Sequence, residues 1–586
     1  MADGRASIGA RLLAWPLTIA VLLGLVSGGQ ALFTGSAKPA EPQRVQIYGA
    51  KDGGKTAYAL IPLDAGNFSR SIPGGIAVDD SGSIVIVGGR QTGDLRILRP
   101  SLGQEEVASI PMQATQGQQL SGNGERFFFR SRFDGTGQIA FLKLDDLSVT
   151  PGPATESESF SVDATGHGIV FQGLTEHTGK SSLQYLFYDT DLGVVRQLTD
   201  DPNAVRTDLP CLDRSATKPL ISADGNTVVV MTAAALGGVS ESVEPRCHVF
   251  RLNLQENKWR RLLTLPLGTS ASAPSLSADG QWLAFSITQV VSGGIVRTLP
   301  AIVELNDAAA TDPIPGTADY AGFDSVVTRD GSGVVVSSQA DLDPEVGNAD
   351  HNMELFLYDM SSSVFTQITD TYGGIGSTPG NCPPYEPRSN ANGGIVLFEF
   401  NLYSFEACRL DGPQRSVVDG FGFGRVRALR KRQGNTGPTL DAPTLARVQA
   451  GEVLRLTYNA TDAERDPISF FAQLIDGLDV PMGSYMTDHR NGTADLDWTT
   501  NPSNIGTHRV RVAAFDEGGG ETFVDTTIVV CGTVVEPGDF RGLIGAIFSP
   551  DDPLICQSEA DLNGDGLVSA ADLVAFGRPE SRTAVQ

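Results

Sequence analysis

The residues best placed to do chemistry lie near the C-terminus. Asp561-Leu-Asn-Gly-Asp-Gly-Leu-Val-Ser-Ala-Ala-Asp572 sets Asp561, Asn563, Asp565, Ser569 and Asp572 at loop positions 1, 3, 5, 9 and 12. Hard divalent cations want about six to eight oxygen ligands, and this spacing wraps such a set around one Ca²⁺. Gly566 at position 6 makes the sharp turn, and Leu567 at position 7 offers its backbone carbonyl. Val568 at position 8 is the apolar anchor, and Ser569–Phe576 reads as the start of a helix. Position 12 is Asp, one methylene shorter than the usual Glu, which weakens bidentate ligation.

Other chemistry has little support. No Gly-x-Ser-x-Gly elbow appears, so a serine hydrolase of the α/β type has no visible nucleophile. His167, His177, His248, His351, His489 and His508 are dispersed, with no His-x-His or His-x-x-x-His pair to hold a metal on one element. No Cys-x-x-C exists, which removes zinc-ribbon and thioredoxin-type readings. Asp341, Asp343, Asn348, Asp350 and Asn352 form an acidic loop with two readings. Either it supplies oxygen ligands to Ca²⁺, or it is a solvated turn whose Asx side chains cap nearby backbone groups.

The chain that must position these residues has 586 of them, 43 Lys+Arg against 69 Asp+Glu, and a formal net charge of −26. That balance argues against nucleic-acid or anionic-membrane partners, which would be repelled at long range. Residues 1–31 read as a secretory signal peptide: Arg5 and Arg11, an uncharged run over Leu12–Val26, then Gly29 and Ala31 at the −3 and −1 positions of a cleavage site. No later stretch is long and apolar enough for a membrane span. The expected location is therefore secreted, extracellular or periplasmic, where disulfides form. Six cysteines allow fifteen connectivities. Pairing Cys211 with Cys247, Cys382 with Cys408 and Cys531 with Cys556 puts each bridge inside one proposed structural unit.

Over residues 44–425 one pattern recurs, a polar turn with Asp or Asn and Gly followed by a β-branched or aromatic run. It appears at Asp80-Ser-Gly82, Asn123-Gly124, Ala164-Thr-Gly166, Asp224-Gly225, Asp279-Gly280, Asp330-Gly331 and Asn392-Gly393. The runs that follow include Phe127–Phe129, Val228–Val230 and Val334–Val336. Such turns accept positive φ, and uninterrupted apolar runs between them read as strands buried on both faces. Units of about 40–60 residues with several short strands predict a β-propeller, with seven blades and six or eight as alternatives. Val45–Tyr48 and Thr56–Ile61 are the candidates for the strand that closes the ring. After it, 426–438 reads as a basic, Gly-containing linker, and the cluster Arg425, Arg427, Arg430, Lys431 and Arg432 across its start is expected to be a solvated strand end, a protease-sensitive hinge or an anion patch. Residues 439–530 alternate apolar and polar, as a β-sandwich requires. The fold class is thus mainly β, ending in a small α-helical module.

These segments also carry resemblances. Ser222-Ala-Asp-Gly-Asn-Thr-Val-Val-Val230 and Ser277-Ala-Asp-Gly-Gln-Trp-Leu-Ala-Phe-Ser286 resemble TolB-like (WD40-like) propeller repeats. So do Leu183–Asp189 and Glu354–Asp359, the latter followed by Thr366-Gln-Ile-Thr369. Residues 439–530, with Asp462-Ala-Glu-Arg-Asp-Pro467 and Asp516, resemble cadherin- or Ig-like modules of bacterial surface proteins. That likeness implies Ca²⁺ at Asp462, Glu464, Asp466 and Asp516, although no Asp-x-Asn-Asp-Asn linker is present. Residues 531–580 resemble a dockerin, an EF-hand-type calcium module, with Asp539–Phe548 as the helix of a first copy whose loop lacks ligands. A dockerin implies a cohesin-like or cell-surface partner, and here loop positions 10 and 11 are Ala570 and Ala571. The function these parts imply is a secreted, non-enzymatic binding protein. Its propeller would present a protein or glycan ligand, its sandwich would act as a spacer, and its tail would dock in the presence of Ca²⁺. The alternative is an extracellular glycosidase-type hydrolase acting on polysaccharide at the propeller mouth.

Overall fold

The repeated turns dictate the architecture. A computed structural model describes residues 56–63, 76–88, 94–109, 118–133, 136–155, 159–177, 180–201, 204–205, 218–234, 236, 246–290, 296–305, 312–317, 325–349, 351, 353–370, 384–401, 423–474 and 484–532. Within them lie nine four-stranded sheets and two short 3-10 turns, Pro100–Leu102 and Pro502–Asn504. Seven sheets follow one another along the chain, and each of the first six is a simple antiparallel meander. We number them sheet 1 (76–109), sheet 2 (119–154), sheet 3 (160–197), sheet 4 (220–264), sheet 5 (269–313), sheet 6 (325–367) and sheet 7 (384–430).

Sheet 7 takes its fourth strand from the other end of the chain. Tyr58–Pro62 pairs antiparallel with Phe423–Arg430, in the register Tyr58↔Arg430 to Pro62↔Val426. This is the second of the two predicted closing strands, while Val45–Tyr48 lies outside the described residues. The innermost strand of each sheet meets that of the next, and sheet 7 returns to sheet 1. The described residues from Tyr58 to Arg430 therefore build a β-propeller.

The apolar runs fill the wedges between sheets. Ile86 and Ile97 pack against Phe127 and Phe129, Phe128 and Phe141 against Phe171, and Val229 and Met231 against Phe285. The ring is completed by Val85 and Val87 of sheet 1 packing with Leu397 of sheet 7. The central residues of these runs are fully buried, which is why they show no alternation.

Residues 439–531 form the remaining two sheets. One contains Thr439–Asp441, Val453–Thr461, Thr493–Thr499 and Ser484–Asp488; the other contains Leu445–Gln449, Glu521–Cys531, Gly506–Asp516 and Ile468–Leu474. Leu445–Gln449 runs parallel to Glu521–Cys531, and the other pairings are antiparallel. Both sheets contribute to one core around Trp498, Tyr458, Leu496, Phe470 and Val512. The strand Val453–Thr461 alternates exposed and buried residues, as its sequence predicts.

The end of the propeller differs from expectation. Its last strand runs through Arg430 rather than stopping at Arg425, and Arg425 and Arg427 are buried at 3% and 2% exposure. The front of the basic cluster is therefore core of the molecule and not a solvated strand end.

Candidate functional site

One end of the propeller is organised by the seven repeated turns. Their glycines, Gly82, Gly124, Gly166, Gly225, Gly280, Gly331 and Gly393, all have φ between 68° and 77°. Each donates its N–H to the carbonyl three residues back, for example Gly280 to Ser277 at 3.0 Å. The side chain at that earlier position then accepts the N–H five residues on. The acceptors are Asp79, Ser121, Asp163, Ser222, Ser277, Thr328 and Asn390, at 2.8–3.0 Å. A short oxygen side chain there fixes the turn and satisfies the first free N–H of the next strand, as Asx and Ser/Thr motifs do.

Between these turns runs a closed circuit of backbone hydrogen bonds. Asp80 N–H donates to Gly122 O, Asn123 to Ala164, Ala164 to Ala223, Ala223 to Ala278, Ala278 to Arg329, Asp330 to Ala391, and Ala391 back to Asp80, all at 2.6–3.1 Å. Every junction in the ring is bridged once. Small residues line most of the circuit because larger ones would not fit: a Cβ on Gly122 would lie 2.2 Å from Asp80 Oδ2. Across it, Arg329 Nε donates to Asp80 Oδ1 at 2.9 Å, joining sheet 6 to sheet 1 over the top of sheet 7.

The Asp and Asn residues at strand ends serve the same structural purpose. Asp189 Oδ1 accepts the N–H groups of Asp191 and Leu192, Asn253 Oδ1 those of Gln255 and Glu256, and Asp359 Oδ1 those of Ser361 and Ser362. Hydrogen bonds from Ser361 and Ser362 hold the Asp359 carboxyl at about 2. Sheets 3 and 6 repeat a second device: Thr199 Oγ1 donates to buried Gln184, and Thr369 Oγ1 donates to fully buried Glu354. The acidic loop of sheet 6 is likewise a capped turn in its described part. Asp341 accepts from Asn348 N–H, and the two oxygens of Asp343 accept from Glu345 and Gln367 N–H. Asp350 and Asn352 lie outside the described residues. Among the described residues no cluster of three or more His, Cys, Asp or Glu side chains is arranged to hold a metal.

The second concentration of charge is the junction between propeller and second module. Arg427 donates from both Nη atoms to the two carboxylate oxygens of Glu517, at 2.7 and 2.5 Å. Arg432 pairs with Asp466 and with Asn435, and Asn435 Nδ2 donates to both oxygens of fully buried Asp516. Asp516 also accepts from Gly518 and Gly520 N–H. On a neighbouring edge, Arg490 of the second module donates to Glu105 of sheet 1, which Arg96 also holds at 2.6 Å. Burial pushes the Glu105 carboxyl up, but the hydrogen bonds and charges of Arg96 and Arg490 prevail and hold it below its ordinary value. Asp488 beside Arg490 goes the other way, because its burial outweighs that charge. Beneath the ion pairs, Phe471, Ala513 and Phe515 share one apolar core with Tyr58, Ile61, Phe398 and Val426 of the propeller.

Three of the four acids that a cadherin-like module would offer to Ca²⁺ have other partners. Asp466 and Asp516 face basic or amide partners at the junction, and Asp462 Oδ1 caps Asp466 N–H. Sequence reasoning noticed both the basic cluster and the acidic turns but did not join them. Complementary charge was the available signal, but Arg427 and Glu517 are 90 positions apart.

The Ca²⁺ loop residues Asp561, Asn563, Asp565, Leu567, Ser569 and Asp572 lie outside the described residues, as does the signal segment. Cys247 and Cys531 are both disulfide-bonded. Cys211, Cys382, Cys408 and Cys556 lie outside the described residues. The histidines whose side chains are described sit apart: His167 near Asp191, His248 on Thr264, His351 on the Gln339 carbonyl, His489 on Asp495 and His508 on the Asn504 carbonyl.

No protein-family model matches the chain, and no curated protein matches it. Solved structures give likenesses to propeller proteins. An oligogalacturonate lyase from Vibrio parahaemolyticus shares 13% identity over 64% of this chain and 91% of its own, with a TM-score of 0.39. The β-propeller domain of the Trilobed protease from Pyrococcus furiosus, which has an open velcro topology, shares 10% over 58% and 91%, with a TM-score of 0.39. TolB from Acinetobacter baumannii shares 11% over 57% and 75%, with a TM-score of 0.31. Similarity this low decides nothing about activity. The propeller is established by the closed ring of sheets itself.

Proposed function

We propose that the protein is an exported binding scaffold. A seven-bladed propeller presents a protein or glycan ligand, a cadherin- or Ig-like β-sandwich supports it, and a dockerin-like tail ordered by Ca²⁺ docks to a cohesin-like or cell-surface partner. The observation that carries this reading is the junction. Buried Arg427–Glu517, Arg490–Glu105 and a shared apolar core favour one rigid body, from which the chain leaves for the tail at Cys531. A scaffold that must hold a ligand at a fixed distance from a docking point gains from such rigidity. In this reading Asp561, Asn563, Asp565, Leu567, Ser569 and Asp572 bind the ion, and Cys531–Cys556 ties the tail to the last strand of the sandwich.

The test is a glycan array probed with the full chain, run beside a reducing-sugar assay on every polysaccharide that binds. Binding without new reducing ends supports the scaffold. Release of reducing ends would replace it with the hydrolase alternative.

A further inference from the structure

The strand that closes the propeller is also the one with the least local support. In sheets 1 to 6 the outer strand follows its neighbour in the chain, but Tyr58–Pro62 reaches its partner Phe423–Arg430 only after more than 350 intervening residues. The entropy of closing a loop grows with the logarithm of its length, so this pairing is costlier than any hairpin in the ring. Five residues paired on one side hold it. Tyr58 Oη adds a bond to the Gly393 carbonyl at 2.7 Å, and Tyr58 and Ile61 touch apolar residues of sheets 6 and 7. Further contacts come from the second module.

We propose that the second module is the lock on the propeller, so that closing the ring and docking the module are one event. Tyr58 and Ile61 lie in one core with Phe471, Ala513 and Phe515. Ile61 pairs in register with Arg427, whose guanidinium is taken by Glu517. Two consecutive residues then stitch strand and module together: Lys431 N–H donates to Ala57 O at 2.9 Å, and Arg432 N–H donates to Gly518 O at 2.8 Å. The turn at 516–520 lies directly on this seam. A Cβ on Gly519 would sit 3.1 Å from Lys431 Cα and 3.4 Å from Ala59 Cβ, and its φ of +83° favours glycine on its own account. Glu105 and Arg490 add a second point of attachment on sheet 1, the other side of the closure. The module thus grips both sheets that the closing strand brings together. This inference concerns the fold and stands whether or not the propeller binds a glycan.

Hydrogen–deuterium exchange on the full chain tests it, comparing wild type with Phe515→Ala and with Glu517→Gln. The milder Glu517→Gln removes one charge and keeps the experiment readable where Phe515→Ala prevents folding. Arg196→Ala, which removes the bonds from sheet 3 to the Leu254 carbonyl and a cation–π contact with Phe187, all far from the closing strand, serves as control. Loosening the module is expected to raise exchange at least about tenfold across 57–62 and 423–430, with sheets 2 to 4 and the control unchanged. Wild-type exchange at 57–62 in both module variants would overturn the proposal, whether or not 515–521 exchanges faster.

Discussion

Replacing Glu517 by Leu should destabilise the molecule far more than an ordinary ion pair would suggest. Arg427 is 2% exposed and Glu517 14%, so most of the Arg427 guanidinium stays out of water when its partner is removed. Arg427 Nε already lacks a partner, so the Glu517 carboxylate carries the hydrogen bonding of the guanidinium. Stripping a buried charge of its partner costs about 3–5 kcal/mol. Removing Arg427 instead, as Arg427→Met, leaves a carboxylate that is partly accessible and can recover some hydration, so we expect about 1–3 kcal/mol. The pair Arg427→Met with Glu517→Leu leaves no stranded charge and should lie near wild type, since apolar replacements of buried pairs are often neutral or stabilising by about 1–4 kcal/mol. The coupling in the double-mutant cycle should then exceed about 2 kcal/mol. Urea melts are the assay, because urea does not screen the pair as guanidinium chloride would. Single-mutant losses below about 1 kcal/mol, or a double variant whose effect equals the sum of the singles to within about 0.5 kcal/mol, would refute the reasoning.

The turn circuit makes two further predictions. Gly122→Ala drives a methyl into the Asp80 carboxylate and should cost about 1–3 kcal/mol in urea melts, as overpacking does; relief by a second change, Asp80→Ala, would assign the loss to that contact. Ser277→Ala leaves Trp282 N–H without its acceptor and should cost about 1–3 kcal/mol, with raised exchange confined to the neighbouring turns. Acid should weaken the junction through Glu105. Its folded value lies below the ordinary 4.5, so its contribution is present above that pH and is lost as pH falls through the folded value. Asp488, whose folded value is raised, opposes this by favouring the acid form. Urea midpoints should therefore fall less steeply below pH 4.5 in Glu105→Gln than in wild type, and identical slopes would remove Glu105 from the account.

Local features were legible in the sequence because their causes are local. A turn of Asp224-Gly225 followed by Val228–Val230 contains its own positive φ, its own cap in Ser222 and its own buried strand. Seven copies are enough to read the repeat. The closing strand was legible at one remove, since a ring needs a spare strand and Val45–Tyr48 and Thr56–Ile61 preceded the first repeated turn as its two candidates. Contacts between distant residues were not legible. Arg329 meets Asp80 only because sheets 6 and 1 flank sheet 7, and Arg427 meets Glu517 only after the second module has docked.

The excess of arginine shows the same limit. Only eight of the 43 basic residues are lysine, a bias with no visible cause in the chain. In the fold, Arg96 donates to the Leu63 carbonyl, Arg126 to Gly166, Arg196 to Leu254 and Arg251 to Leu305. Each of these bridges one sheet to the next. A planar guanidinium with several donors can reach a neighbouring carbonyl and still pair with an acid, as Arg126 does with Asp191 and Arg96 with Glu105. A lysine ammonium would satisfy one such contact less well.

In the proposed function a Ca²⁺-independent scaffold carries a Ca²⁺-ordered tail. Calorimetry of the full chain, with saturating Ca²⁺ and again after EDTA, tests this directly. The expected result is a small transition present only with Ca²⁺, above a large transition for propeller and sandwich that does not move. A tail transition identical in both conditions, or a main transition that falls with chelation, would contradict it.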